Sequence, residues 1–242
     1  MLGVSITGQW DSHVVRDPKV LRQLKLEAIK VNKQYAKRFG INESTCITCV
    51  KPSGNLSQTV DCSSGVHPRH SAYYIRRVRI ATTDALFKML RDQGAPHHPE
   101  VGQTMENATT FVIDFPIKAP ETAIFKNDQT AIEQLEYWKM VKENFTEHNP
   151  STTISVGEKE WIEVANWLYK NWDIVGGLTF LPRDNHVFQL APYEEINEKQ
   201  YNEMLKLYEH IDFGKIVSYE VVDETEVQKE LACVAGVCEI AV

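Results

Sequence analysis

The chain has little of what marks several large protein classes. No stretch reaches the roughly 18 consecutive apolar residues that a membrane helix needs, so nothing in it reads as a membrane span. Positive charge is in short supply: 26 lysines and arginines stand against 33 aspartates and glutamates, a net −7. That is the wrong sign for a protein whose partner is nucleic acid. Cysteine is sparse and odd in number, with Cys46, Cys49, Cys62, Cys233 and Cys238. Such a set does not read as a secreted disulfide framework, and a reducing cytoplasm fits it better. The amino terminus, MLGVSITGQWDSHVV, lacks a basic segment leading into a long apolar one, so no signal peptide is expected. Internal repeats and low-complexity tracts are missing too. What remains is 242 residues with a hydrophobic share of 43%, enough to bury a sizeable core.

Strand-like and helix-like patterns alternate along the chain. Leu2–Gly8 reads as a buried strand. Pro18–Phe39 reads as a helix, with Leu21, Leu24, Ala28, Val31, Tyr35 and Phe39 at helical spacing and Gly40 to stop it. Thr45–Val50 is a short apolar strand. Tyr73–Ala81 is extended, Asp84 caps a short helix, and Thr109–Ile117 is another strand. A long helix is predicted over Gln129–His148, then a strand at Thr152–Val156, a helix over Glu158–Asp173 and a strand at Gly177–Leu181. A last helix opens at Asn197, and the pattern fades after Phe213. Strands and helices in this alternation imply an α/β fold of parallel β/α units, with about five core strands.

The stretch richest in chemistry is Lys51-Pro52-Ser53-Gly54-Asn55, which breaks the Thr45 strand. Pro52 and Gly54 end the strand, and the polar residues after them can start a helix. A small, hydroxyl-rich turn at a helix start suits an anion, because the first amides have no internal partners. Ser53, Asn55 and Ser57 add side-chain donors, and Gly54 lets a phosphate approach the backbone. On these residues alone, a capped helix start with no ligand is an equally good reading.

The order of the surrounding motifs narrows this. Lys51-Pro52-Ser53-Gly54-Asn55-Leu56-Ser57, then Gly65-Val66-His67-Pro68, then Tyr73-Tyr74-Ile75-Arg76-Arg77 resembles the adenosylcobalamin-dependent (class II) ribonucleotide reductases. The monomeric ribonucleoside-triphosphate type is the nearest pattern. The resemblance continues through Glu133-Gln134-Leu135, His148-Asn149-Pro150-Ser151, Gly177–Pro182, Asn185-His186 and Ala191–Ile196. It covers nearly the whole chain but only the C-terminal part of the family's sequence. It implies the C-terminal half of the ten-stranded α/β barrel of ribonucleotide reductases over residues 1–213, and a tail over 214–242. It also implies that Pro52, Ser53, Gly54, Asn55 and Ser57 hold the substrate's phosphates. Asn55 stands where the family more often has Thr.

Four of the five cysteines fall into two pairs, and Cys62 has no partner in view. Cys46 and Cys49 have CxxC spacing, but residues three apart in a strand point to opposite faces, so two core cysteines are expected. Cys233 and Cys238 follow a polar run near the end of the chain, with Gly236 and small residues between them. That composition reads as a mobile terminus able to close a disulfide, or as two incidental cysteines. The resemblance implies a role. In the family, a terminal pair of this spacing reduces the active-site disulfide after each turnover, and thioredoxin re-reduces the pair. Arg76, Arg77 and Arg79 read either as phosphate partners or as exposed strand charges. The histidines show no metal-ligand spacing, and Tyr73 and Tyr74 read as packing.

One feature of the family is missing. Its reaction starts from a thiyl radical on a finger-loop cysteine in an Asn-Pro-Cys pattern, generated with adenosylcobalamin, and here Asn149-Pro150 precedes Ser151. The expectation is a chain that needs an upstream reductase half, takes ribonucleoside triphosphates, and is a split subunit, a truncation or an intein-derived fragment. A non-catalytic nucleotide-binding or scaffold protein derived from that half is the alternative.

Overall fold

The structure, a computed structural model, describes residues 1–183 and 189–220. The chain forms two compact units. Of the described residues, the first comprises 1–72 with 118–183, and the second 73–117 with 189–220.

In chain order, the first unit opens with β1 (Val4–Ser5), a 3-10 turn, α1 (Pro18–Phe39), β2 (Thr48–Cys49) and α2 (Leu56–Thr59). The second unit then supplies β3 (Tyr73–Ala81), α3 (Ala85–Asp92), β4 (His97–Pro99) and β5 (Thr110–Lys118). The first resumes with α4 (Ala131–Asn144), β6 (Thr152–Val156), α5 (Trp161–Lys170) and β7 (Leu178–Pro182). The second ends with β8 (Tyr193–Glu195), α6 (Glu198–Lys206) and a 3-10 turn over Phe213–Ser218.

The first unit is parallel, as expected. β1 pairs with β2 in the register Val4–Thr48, and β6 pairs with β7 from Thr152–Leu178 to Val156–Pro182. A parallel bridge between Val50 and Pro150 sets the end of β2 beside the start of β6, where Ser151 N donates to Val50 O at 3.1 Å. Side chains finish these short ladders. The Glu147 carboxylate accepts from Ile47 N and Thr48 N at 3.0 and 3.2 Å, and the Gln134 amide pairs with Ser155 N and Ser155 O at 3.1 and 3.3 Å. The core lies between α4 and the strands. Trp138, Leu135, Ile154, Val156 and Trp167 pack on one side of the helix, and Tyr137, Val141, Trp10, Leu21 and Val50 on the other.

The second unit corrects the expectation of parallel units throughout. Its sheet has the order β4-β5-β3-β8, with β3–β8 and β4–β5 antiparallel. β4 and β5 are joined by residues 100–109, short of the dozen or more that a parallel crossover needs, so the pair is antiparallel. Phe87, Leu90, Phe111 and Ile113 form its core, covered by Tyr208, Ile216 and Tyr219.

Two further expectations shift. The Leu2–Gly8 run is a strand only at Val4–Ser5, and both residues are exposed. Helix α1 has the predicted bounds, with the Asp17 carboxylate accepting from Lys19 N, Pro18 in the first turn and Gly40 left-handed at the end. Its buried residues, however, are Leu21 and Ala36, while Leu24, Val31, Tyr35 and Phe39 are exposed. The predicted stripe forms an uncovered apolar flank of the helix.

Candidate functional site

Because β1 and β2 are parallel neighbours, the chain leaves both at the same end. β1 runs into Ile6-Thr7-Gly8, and β2 into Val50-Lys51-Pro52. The carboxyl ends of parallel strands are where open α/β sheets bind ligands.

The turn after β2 is compact. Gly54 N donates to Pro52 O at 2.9 Å, and Ser57 N to Ser53 O at 3.1 Å. Pro52, Gly54 and Asn55 are exposed and Ser53 is half-buried. Asn55 precedes α2, but its side chain makes no capping bond, so its amide is not spent on the helix. Ser57 is buried, and its Oγ donates to Ser53 O at 2.5 Å. The expected helix start is a single four-residue turn, too short for a helix dipole to carry an anion site. Hydroxyls, an amide side chain and open backbone are what the turn offers.

A second layer braces it. Thr7 Oγ1 lies 2.8 Å from Ser53 Oγ, donates to Ser63 O at 2.9 Å and accepts from Gly65 N at 3.0 Å. Gly65 is left-handed at φ 56°, and a Cβ on it would sit 2.5 Å from Lys51 O. The loop between is anchored by Arg69, whose buried guanidinium pairs with Asp11 at 2.9 Å and Asp61 at 3.2 Å. Asp11 in turn accepts from Ser63 N at 2.7 Å. His67 Nδ1 donates to Ser64 O at 2.9 Å, which leaves Nε2 to accept from Thr153 N at 3.0 Å. Burial holds the His67 imidazole below its ordinary pKa, consistent with this neutral form.

Thr7, Asp11 and Arg69 escaped the sequence reading. Thr7-Gly8 straight after a short strand was a usable signal for the first. Nothing local marked Asp11 or Arg69, whose pairing spans 58 residues.

The other singled-out residues have their own partners. In the second unit Arg77 is buried against Asp114 at 3.0 Å and Glu194 at 2.6 Å, Arg76 stacks 4.6 Å from the Tyr193 ring, and Arg79 pairs with Glu100. Tyr73 and Tyr74 lie against the rings of Tyr201 and Tyr193. His97 Nδ1 bonds Ala95 O, His98 faces Asp114 at 3.3 Å, and His148 Nε2 bonds Leu2 O. Cys46, Cys49 and Cys62 are free thiols, and burial pushes the last two up in pKa. Cys233 and Cys238 lie outside the described residues, as does His186. Among the described residues, no three His, Cys, Asp or Glu side chains gather as a metal site, and no helix is long and apolar enough to cross a membrane.

No family model matches the chain. Individual proteins do. The probable adenosylcobalamin-dependent ribonucleoside-triphosphate reductase of Dictyostelium discoideum is 30% identical over 191 residues, 77% of this chain and 25% of its own length. The adenosylcobalamin-dependent enzyme of Lactobacillus leichmannii is 30% identical over 234 residues, 92% of this chain and 30% of its own. A crystal structure of a B-12 dependent (class II) ribonucleotide reductase matches 86% of this chain with a TM-score of 0.72 and 25% identity. The chain's relatives are class II ribonucleotide reductases. It spans about 30% of the length of the curated reductases it matches. Several residues that carry the reductase resemblance turn out to be braces. Glu133 closes the capping box of α4 with Thr130, Gln134 clamps β6, and Asn149 donates to Gly177 O at 2.9 Å.

Proposed function

We propose that this chain is the C-terminal section of an adenosylcobalamin-dependent ribonucleoside-triphosphate reductase. In this reading residues 1–213 are the second half of a ten-stranded α/β barrel, and 214–242 are an arm carrying Cys233 and Cys238. The observation that carries the proposal is the hydroxyl-rich turn at the carboxyl ends of two parallel strands, in a chain whose fold is that of a class II reductase over most of its length.

Each part of the chain has a task. Pro52, Ser53, Gly54 and Asn55 surround the triphosphate of the substrate. Ser57 acts one step removed, since its hydroxyl is committed to Ser53 O. The thiyl cysteine and the active-site dithiol lie on an upstream reductase half. The thiyl takes a hydrogen atom from the ribose 3′ carbon, and the 2′ hydroxyl leaves as water. The dithiol then supplies two electrons, becoming a disulfide, and the hydrogen returns to the 3′ carbon. Cys233 and Cys238 reduce that disulfide by thiol–disulfide exchange and are themselves restored by thioredoxin. Adenosylcobalamin, bound by the completed enzyme, supplies the radical.

The apolar flank of α1 supports the need for a complementary half. Leu24, Val31, Tyr35 and Phe39 are 40–65% exposed along one face of the helix, and contiguous apolar surface of this kind is a sign of a partner. The reducing-compartment cysteine usage supports a cytoplasmic setting.

The turn is the part to test. Ser53→Ala combined with Asn55→Ala is expected to weaken ribonucleoside triphosphate binding by roughly 1–3 kcal/mol, the loss of two contacts to a charged ligand. Calorimetric titration reads it directly, and an unchanged affinity would sink the phosphate turn.

A further inference from the structure

We infer that Thr7 is the positioning residue of the phosphate turn, a hydroxyl relay that shifts its own hydrogen from the Ser63 carbonyl to Ser53 when an anion binds. The inference rests on the phosphate reading of the turn given above.

Thr7 Oγ1 owns one hydrogen, and it faces two acceptors, Ser63 O at 2.9 Å and Ser53 Oγ at 2.8 Å. A carbonyl cannot donate, so while Thr7 serves Ser63 O, the Ser53 hydroxyl must donate to Thr7. The two lone pairs of Thr7 are then taken by Ser53 O–H and Gly65 N–H, with the Cys62 thiol a distant third at 3.7 Å. In this arrangement Ser53 shows an outside ligand only lone pairs, and an anion needs a hydrogen.

The alternative arrangement supplies one. If Thr7 turns its hydrogen to Ser53 Oγ, the Ser53 hydrogen is released to point out of the turn. The Thr7 oxygen still accepts from Gly65 N–H. The group abandoned is Ser63 O, and it is not orphaned, because Gly8 N donates to it at 2.7 Å. No buried polar group loses its last partner in the switch, which is the condition for it to cost little. A donated chain from Thr7 through Ser53 to a phosphate oxygen also strengthens each bond in it. The frame around the relay is held still by Arg69 with Asp11, which accepts from Ser63 N at 2.7 Å, and by the left-handed Gly65 against Lys51 O. Thr7 touches no ligand itself and acts only through Ser53.

The test uses the full chain and inorganic tripolyphosphate as the probe, followed by calorimetry. Thr7→Val keeps the shape and removes the hydroxyl; it frees the Ser53 hydrogen but strips Ser53 Oγ of the donor that fixes and polarises it, and it is expected to weaken tripolyphosphate roughly threefold. Thr7→Ser is expected to bind within about twofold of the parent, since one hydroxyl is all the relay requires. Thr7 can reach the anion only through Ser53, so the deciding variant is Thr7→Val combined with Ser53→Ala. The relay predicts that the pair loses no more affinity than Ser53→Ala alone, and additive losses would overturn it. If Ser53→Ala weakens binding and Thr7→Val does not, the relay is wrong and the phosphate turn stands. If neither changes binding, the phosphate turn itself is wrong. Should Thr7→Val fail to fold, the parent protein still decides. The Gly8 amide donates to the Ser63 oxygen that Thr7 abandons, so its resonance must move with tripolyphosphate at the same saturation as binding, and a Gly8 amide that stays put while the anion binds overturns the relay.

Discussion

Gly65 shows how much a single backbone position can decide. Its φ of 56° is a conformation that costs a side chain about 1–2 kcal/mol, and its Cβ would meet Lys51 O at 2.5 Å. Gly65→Ala is therefore expected to lower stability by about 2 kcal/mol or more and to push the turn at Lys51–Gly54 out of place. Denaturant midpoints check the first effect and triphosphate affinity the second. Two histidines give the fold a pH dependence. Burial lowers the pKa of His67, and burial with help from Lys126 lowers His70 to about 4. Both are neutral in the fold, while in the unfolded chain they take up protons below about 6.5. The unfolded state therefore binds more protons below that point. Stability is intact above 6.5 and falls as the pH drops from there toward 4. A urea midpoint lower near pH 5 than near pH 7.5, with a smaller drop in a His67→Gln, His70→Gln variant, is the expected result. Equal drops in the two proteins would point to other groups. At this scale the sequence showed Ser53, Gly54 and Asn55 plainly, because turn chemistry is local. It hid Arg69 and Asp11, because their meeting depends on chain 58 residues apart coming together.

Among the elements, helix α4 has the widest reach. Thr130 and Glu133 form a capping box at its start, and the buried Gln134 beside them pairs with both backbone groups of Ser155 in β6. A glutamine here takes the place of a neighbouring strand, as Glu147 does for β2. Gln134→Leu is expected to cost about 1–3 kcal/mol, because it leaves the Ser155 amide without its partner in the interior. Thermal or urea unfolding measures it. A change within error would mean that water or a shifted strand replaces the amide. The bounds of α1 were legible from Asp17, Pro18 and Gly40, since caps are written in single residues. Which side of α1 is buried was not legible. Leu24, Val31 and Tyr35 have the spacing of a core stripe, and the fold leaves them uncovered. Strand direction was equally hidden. Alternation marks a strand, but parallel or antiparallel pairing depends on which neighbour the chain returns to, and β3 pairs with β8 117 to 121 residues later.

For the whole molecule, the redox arm offers the sharpest expectation. If the chain works as proposed, replacing Cys233 and Cys238 with serine abolishes turnover driven by thioredoxin in the completed enzyme. Turnover driven by a small dithiol that can reach the active-site disulfide directly is retained. Deoxyribonucleotide formation under the two reductants separates these outcomes, and undiminished turnover with thioredoxin would remove the arm from the mechanism. The same assay run with and without an upstream reductase half tests whether the chain's 30% share of its relatives' length is a subunit's share.

By itself, the sequence determined the class of element at most positions, the compartment-neutral facts of charge and cysteine, and the order of motifs that ties the chain to class II reductases. These are properties of neighbouring residues, and local chemistry is enough to state them. The tertiary structure alone decided that the first unit is parallel and the second largely antiparallel, that the turn after β2 is backed by Thr7 and Gly65, and that Arg77 is committed to Asp114 and Glu194. Each of these is a contact between segments far apart in the chain. Burial, not residue type, sets what such a contact is worth, and burial exists only once the chain has folded.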